Sequence, residues 1–215
     1  DMQKPEGGWG RSHFVNGQVK DDIFQFDQNS YPILFLSEMD REIKDKTPEE
    51  QAIIDNIIEN KLPLAVQRLM REKSEKASLF ETLETPADDP TEFAYHLSTN
   101  VLAWKASTEL AGLKDKYDFQ HSEEFATMAD QIKGDINRFF ATKKEGRDMF
   151  FYETDLAGNG RFYFDANDLA FSLAPEWGFT TLDDILWNNT LDFAFSTDNE
   201  RGYFDGGKYA GLGSI

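Results

Sequence analysis

The stretch Thr91–Leu113, TEFAYHLSTNVLAWKASTELAGL, decides the fold class. Phe93, Ala94, Leu97, Val101, Leu102, Trp104 and Leu110 fall on all sides of a 3.6-residue helix, the pattern of a helix enclosed by other elements. The spacing predicts one helix over the whole stretch, and the flanking sequence supplies the neighbours. From Ile23 to Ile43, residues Ile23, Phe26, Ser30, Ile33, Leu34 and Leu36 recur at helical spacing, with Pro32 set to kink the helix or start a new one. Thr47-Pro48-Glu49-Glu50 is a helix start: an N-cap Thr, Pro at the first helical position, and Glu three residues after the cap. Ile53, Ile54, Ile57 and Ile58 follow at helical spacing, and Pro63 interrupts before Val66, Leu69 and Met70. Ser122–Ala141 reads as an amphipathic helix capped by Ser122. Two aromatic runs, Met149–Tyr152 and Arg161–Phe164, flank Ala157-Gly158-Asn159-Gly160, a hairpin signal. Asp168–Leu173 and Leu182–Phe195 return to the helical period. The expectation is a mainly α chain of roughly six helices and one short β-hairpin near 149–164, with no fixed-period sequence repeat.

The chain has 215 residues with 22 Lys+Arg against 40 Asp+Glu, a net charge of −18. That charge repels a phosphate backbone, and no basic cluster offsets it, so nucleic-acid binding is not expected. No apolar run reaches the roughly 18–20 residues of a membrane span, so no membrane partner is expected either. The absence of Cys removes thiolate metal sites and Cys nucleophiles. Aromatics at 14% exclude a disordered chain. Excess acid with excess aromatic fits a sugar site, with carboxylates for hydroxyls and rings for stacking; an acidic, solubilising surface explains the same numbers. Asp1–Gly10 lacks the basic and apolar regions of a signal peptide. Tyr203–Ile215 is Gly-rich and ends without a closing helix, so the chain is expected to be a piece of a longer protein or a processed one. Neither compartment nor oligomeric state is legible.

Three constellations could carry chemistry. In Thr85-Pro86-Ala87-Asp88-Asp89-Pro90, two adjacent carboxylates sit in a Pro-flanked loop. Like charges and partial burial both favour the protonated form, and a carboxylic acid kept protonated near neutrality is what general-acid catalysis needs. The same residues also read as a helix start, with Asp89 or Thr91 as N-cap. In Tyr152–Asp168, Ala157 and Ala166 occupy positions where a calcium loop requires oxygen ligands, which excludes an EF-hand. Asp165-Ala166-Asn167-Asp168 either presents side chains into a site or caps a helix through Asp165 or Asn167. Trp9 and Trp177 are stacking candidates on loops, or hydrophobic anchors with a satisfied N–H. His13, His96 and His121 lack ligand spacing, so no metal or other cofactor is expected. His96 reads as a hydrogen-bonded core residue. No P-loop, dinucleotide fingerprint or G-x-S-x-G is present.

Together these pieces resemble glycoside hydrolase family 125, exo-α-1,6-mannosidases on an (α/α)6 barrel. Four stretches carry the resemblance in order. They are Phe26-Asp27-Gln28-Asn29-Ser30-Tyr31-Pro32-Ile33; Pro86-Ala87-Asp88-Asp89 followed by Tyr95 and Ser98-Thr99-Asn100; Asp165-Ala166-Asn167 with Gly178-Phe179; and Tyr203-Phe204 with Gly211-Leu212-Gly213-Ser214. The resemblance runs from about Trp9 to the last residue. It implies a single (α/α)6-barrel catalytic domain over 1–215, or a segment of one, acting on an oligosaccharide by an inverting, metal-independent mechanism. It also implies Asp88 as general acid and Asp89 as the alternative acid or a sugar contact. Asp165 and Asn167 then bind hydroxyls, and Asn100 is a pocket residue. Two departures are visible: Thr85 stands where the family usually has Arg, and the family's catalytic base, a Glu, lies beyond the Gly-x-Gly-Ser stretch, past Ile215. Two alternatives stand beside this reading: an α-glucosidase or glucoamylase-like enzyme on the same barrel, and a non-catalytic carbohydrate-binding or truncated barrel.

Overall fold

The computed structural model describes residues 2–113, 116–117, 123–168 and 170–213. In chain order its elements are β1 (Ser12–His13), β2 (Val19–Asp21), α1 (Phe26–Glu42), α2 (Pro48–Asn60), α3 (Leu62–Met70), β3 (Tyr95–His96), α4 (Leu97–Leu113) and α5 (Glu124–Phe139), then β4 (Ala141–Lys144), β5 (Arg147–Phe150), β6 (Glu153–Thr154), β7 (Gly160–Arg161), α6 (Ile185–Ala194), β8 (Tyr203–Phe204) and β9 (Gly211–Leu212). The strands form small antiparallel sheets: β1-β2, β3-β6-β7, β4-β5 and β8-β9.

Helix α4 lies at the centre, packed between α1 and α5. Thirteen of its 17 residues are buried, as a helix apolar all round requires. The one acid among them, Glu109, accepts from Ser37 Oγ at 2.6 Å, from Arg41 at 2.9 Å, and pairs with Lys105 at 2.5 Å. Burial alone would push its carboxyl up; these partners outweigh it and hold the carboxyl below its usual range. This charge therefore ties α1 to α4 rather than weakening the core. The capping box at Thr47 and Glu50 forms as its spacing predicts. Helix α1 does not end at Pro32; it continues to Glu42. Proline leaves the carbonyl four residues back, that of Gln28, without its helical donor. Gln28 and Pro32 both line an open groove, where that gap is tolerable.

Four expectations are corrected. The helix predicted from Thr91 begins only at Leu97. The backbone N–H groups of Glu92 and Phe93 instead donate to the buried Glu153 carboxylate at 2.9 and 3.1 Å. Tyr95 and His96 pair as a strand with Thr154 and Glu153. Neither Asp89 nor Thr91 is therefore an N-cap. The predicted hairpin sits a few residues inward, as β6 and β7 around Asp155–Asn159, with Tyr152 N donating to Arg161 O. A second hairpin, β4-β5, turns at Glu145-Gly146, both at positive φ (52° and 82°), the geometry of a type I′ turn. The described part of 168–173 is turns, not helix: Asp165 accepts from Asn167 N at 2.7 Å and closes a turn instead of capping a helix. The predicted Ser122 cap and His121 lie outside the described residues.

Candidate active site

The loop carrying Asp88 is organised by Thr85. Its backbone N donates to Asp89 O at 2.8 Å and its carbonyl accepts from Asp88 N at 3.1 Å. Its buried hydroxyl accepts from Ala87 N and Asp89 N at 3.2 and 3.3 Å. A hydroxyl beside its own backbone closes such a turn, which a long side chain cannot do. Asp88 takes φ +70°, the left-handed region that Asp tolerates through its short polar side chain. Asp88 is exposed, yet its carboxyl accepts from the buried Gln25 Nε2 at 2.5 Å. Gln25 immediately precedes α1, so the first turn of that helix and the acidic loop are joined.

Further carboxylates face the same region. Asp27, in the first turn of α1, is buried. Burial pushes its carboxyl up to about 6; the helix N–H groups of Asp27 and Gln28 act against that, and the charges of Asp88 and Asp168 add to it. Burial, then Asp27 and Asp168, lifts Tyr31 to about 12. Asp89 is pushed up by burial and by Asp165 and Asp88, with Arg161 acting in the opposite direction. Arg161 pairs with Glu92 at 2.6 Å and lies 4.9 Å from the Tyr163 ring centroid. Asp165 is buried; its Oδ2 accepts from Tyr163 OH at 3.2 Å. Asp168 is buried too, its side chain fully so, with His96 Nε2 3.1 Å from Oδ2 but out of hydrogen-bond alignment. Thr99 N donates to His96 Nδ1, so that nitrogen is an acceptor and the ring proton sits on Nε2, toward Asp168. Asp27, Asp88, Asp89, Asp165 and Asp168, from three separate segments, thus form one electrostatically linked set.

Two hollows are relevant, of which the first is lined by members of this set. One, about 220 Å³, is lined by Asp165 and Asp168 with Phe164, Phe171, Phe195 and Leu212. The other, about 620 Å³, is an open groove lined by Gln28, Tyr31, Phe35, Glu38 and Trp177. Tyr31 borders this groove, and the charges of Asp27 and Asp168 act on its hydroxyl after burial. Trp177 is half-buried at its edge. Trp9 is half-buried beside α1, its backbone N donating to Asn29 Oδ1 at 2.9 Å. Asn167 is exposed on the turn after Asp165. Asn100 is fully buried; it brackets Phe80 by accepting from Phe80 N at 2.7 Å and donating to Phe80 O at 3.1 Å, and it also donates to His96 O at 2.9 Å. Among the described residues no three His, Asp or Glu side chains gather as metal ligands.

The family model for metal-independent α-mannosidases matches residues 63–215. The chain belongs to glycoside hydrolase family 125. Its fold is that of (α/α)6-barrel glycosidases. A Streptococcus pneumoniae metal-independent α-mannosidase, solved as a non-productive complex with α-1,6-mannobiose, superposes with a TM-score of 0.75 at 17% identity over 92% of this chain and 53% of its own. A bacterial glucoamylase solved with acarbose superposes with a TM-score of 0.70 at 12% identity over 98% of this chain and 30% of its own. This family 125 chain therefore spans about half the length of the first of these relatives. No curated protein matches it by sequence.

Of the acidic set in this family 125 chain, sequence reading placed Asp88, Asp89 and Asp165. It held Asp27 only as a motif member, and Asp168 only as the end of the 165–168 candidate stretch and a helix start. The available signal was an acid among the inward-facing positions of α1, beside Phe26, Ser30 and Ile33. Gln25 carried no signal. The high proton affinity of Asp27 makes stability pH-dependent. The folded protein keeps this proton between about pH 4 and 6, where the unfolded chain has released it, so stability falls as pH rises through that window and levels off above it. Asp27→Asn, uncharged throughout, is expected to remove a slope on the order of 2–3 kcal/mol. Melting curves of both proteins at about pH 4 and about pH 7 measure it; parallel pH dependences refute it.

Proposed function

We propose that this chain is the acid-bearing part of an inverting exo-α-1,6-mannosidase, one barrel domain or a segment of it. The observation carrying this reading is the convergence of Asp27, Asp88, Asp89, Asp165 and Asp168 on one region of a family 125 fold. Asp88 is the general acid: it gives its proton to the glycosidic oxygen as the C1–O bond breaks and that oxygen takes the bonding electrons. Water attacks C1 from the opposite face and loses its proton to a second carboxylate, a Glu beyond this chain. Inverting enzymes hold the two groups roughly 6.5–9.5 Å apart to admit that water. Asp89 and Asp165, sharing a field with Asp88, bind sugar hydroxyls, with Asn167 at the rim and Trp9 and Trp177 as stacking surfaces. Asn100 supports the site through Phe80 rather than touching sugar.

The test is the first-formed anomer. With the full-length protein and an α-1,6-mannobioside, proton NMR is expected to show β-mannose before mutarotation. Initial α-mannose overturns inversion. A panel of aryl mannosides and glucosides separates the sugars: turnover of glucosides alone favours the glucoamylase-like alternative, which Thr85 motivates. Absence of all turnover by the full-length protein favours a binding barrel.

A further inference from the structure

Gln25 lies outside every sequence motif, yet its surroundings are unusual. It is fully buried at the N-cap position of α1 but makes no capping bond there. Its Nε2 turns away from the helix to donate to Thr85 O at 3.2 Å and Asp88 Oδ1 at 2.5 Å. Two acceptors on the same atom fix the orientation of the amide, since the carbonyl end would face two oxygens. The cost is visible: Gln25 Oε1 is buried without a partner. A buried orphan acceptor of this kind calls for an explanation, as does the positive φ of Asp88, a strained backbone held in place by its surroundings.

We propose that Gln25 is a positioning residue for the general acid. The assignment rests on the reading of Asp88 as that acid. The amide occupies Oδ1, making it the less basic oxygen, so the transferable proton resides on Oδ2. As the proton passes to the glycosidic oxygen, the charge left on Asp88 is stabilised by an N–H donor already in place and already desolvated. The bond to Thr85 O ties the amide to the loop backbone, so carboxylate and loop are set together. A merely structural Gln25 would anchor the loop through Thr85 O and have no bearing on the leaving group.

The experiment uses the full-length protein and two substrates. One is an α-1,6-mannobioside, whose sugar leaving group must be protonated. The other is 2,4-dinitrophenyl α-mannoside, whose phenolate departs without a proton. Gln25→Met is expected to lower kcat on the mannobioside about 100-fold with KM within about twofold. Activity on the dinitrophenyl substrate should fall less than about threefold. The alkaline limb of the mannobioside pH profile should move to higher pH, because the charged carboxylate has lost its donor. Gln25→Leu, close in volume and with no group to donate, is expected to show the same selectivity and serves if Gln25→Met fails to fold. Equal losses on both substrates, or no loss on either, in a variant that melts like wild type overturn the proposal. If Asp88→Asn loses the dinitrophenyl substrate as completely as the mannobioside, the acid reading itself fails.

Discussion

Asp88→Asn in the full-length protein is expected to lower kcat on an α-1,6-mannobioside by about 10²–10⁴-fold, the usual contribution of a positioned general acid. The substitution is unusually clean here. Asp88 occupies the left-handed region, and Asn is among the few residues that enter it readily, so the backbone has no reason to move. Asn Oδ1 can still accept from Gln25 Nε2, so the loop keeps its tie to α1. The side chain is exposed, and no buried contact is lost. Only the transferable proton disappears. Melting temperature and KM should therefore stay near wild type while kcat falls, and the loss should largely vanish on an activated aryl mannoside. Full activity of Asp88→Asn on the mannobioside would move the acid assignment to Asp89, whose carboxyl burial and Asp165 already push up.

Asn100→Leu should have the opposite signature. Asn100 is completely buried and supplies both hydrogen bonds that Phe80 makes toward α4. Leucine fills the volume but leaves a buried N–H and a buried C=O without partners, a loss on the order of 3 kcal/mol. For a chain of this size that corresponds to a melting temperature lower by roughly 10 °C. Phe80 packs on Phe26 with ring centroids 5.0 Å apart, and Phe26 stands between Gln25 and Asp27. The lost bracket is thus transmitted to the start of α1. Protein that remains folded should bind substrate with KM within about twofold of wild type. A raised KM with unchanged melting would return Asn100 to the list of sugar contacts.

These two residues also show how far the sequence reaches. Asp88 and Asn100 lie within one resembling stretch, 86–100, and there read as members of one site. In the structure one sits on a loop facing the acidic set and the other is a core bracket. Asn100 is turned inward by its bonds to Phe80, while Glu153 binds the N–H groups of Glu92 and Phe93 and holds 91–96 out of the helix. That interaction spans about sixty residues, and no local periodicity contains it. The β4-β5 hairpin was missed for a different reason: Glu145-Gly146 is a local turn signal, but the helical stripe ending at Phe139 and Phe140 drew the reading to Ala141.

What the sequence determined by itself is local chemistry and local period. The Thr47–Glu50 capping box, the apolar stripe of α5, the all-round burial of α4 and the Asp88-Asp89 pair are each set by residues a few positions apart, where hydrogen-bond reach and helical spacing leave little choice. The tertiary structure alone decided which acids meet. Asp27, Asp88 and Asp168 come from segments far apart in the chain; burial raises the proton affinity of Asp27, and the charges of Asp88 and Asp168 add to it. Gln25 belongs wholly to this second category. A buried amide acquires meaning only from the carboxylate folded against it.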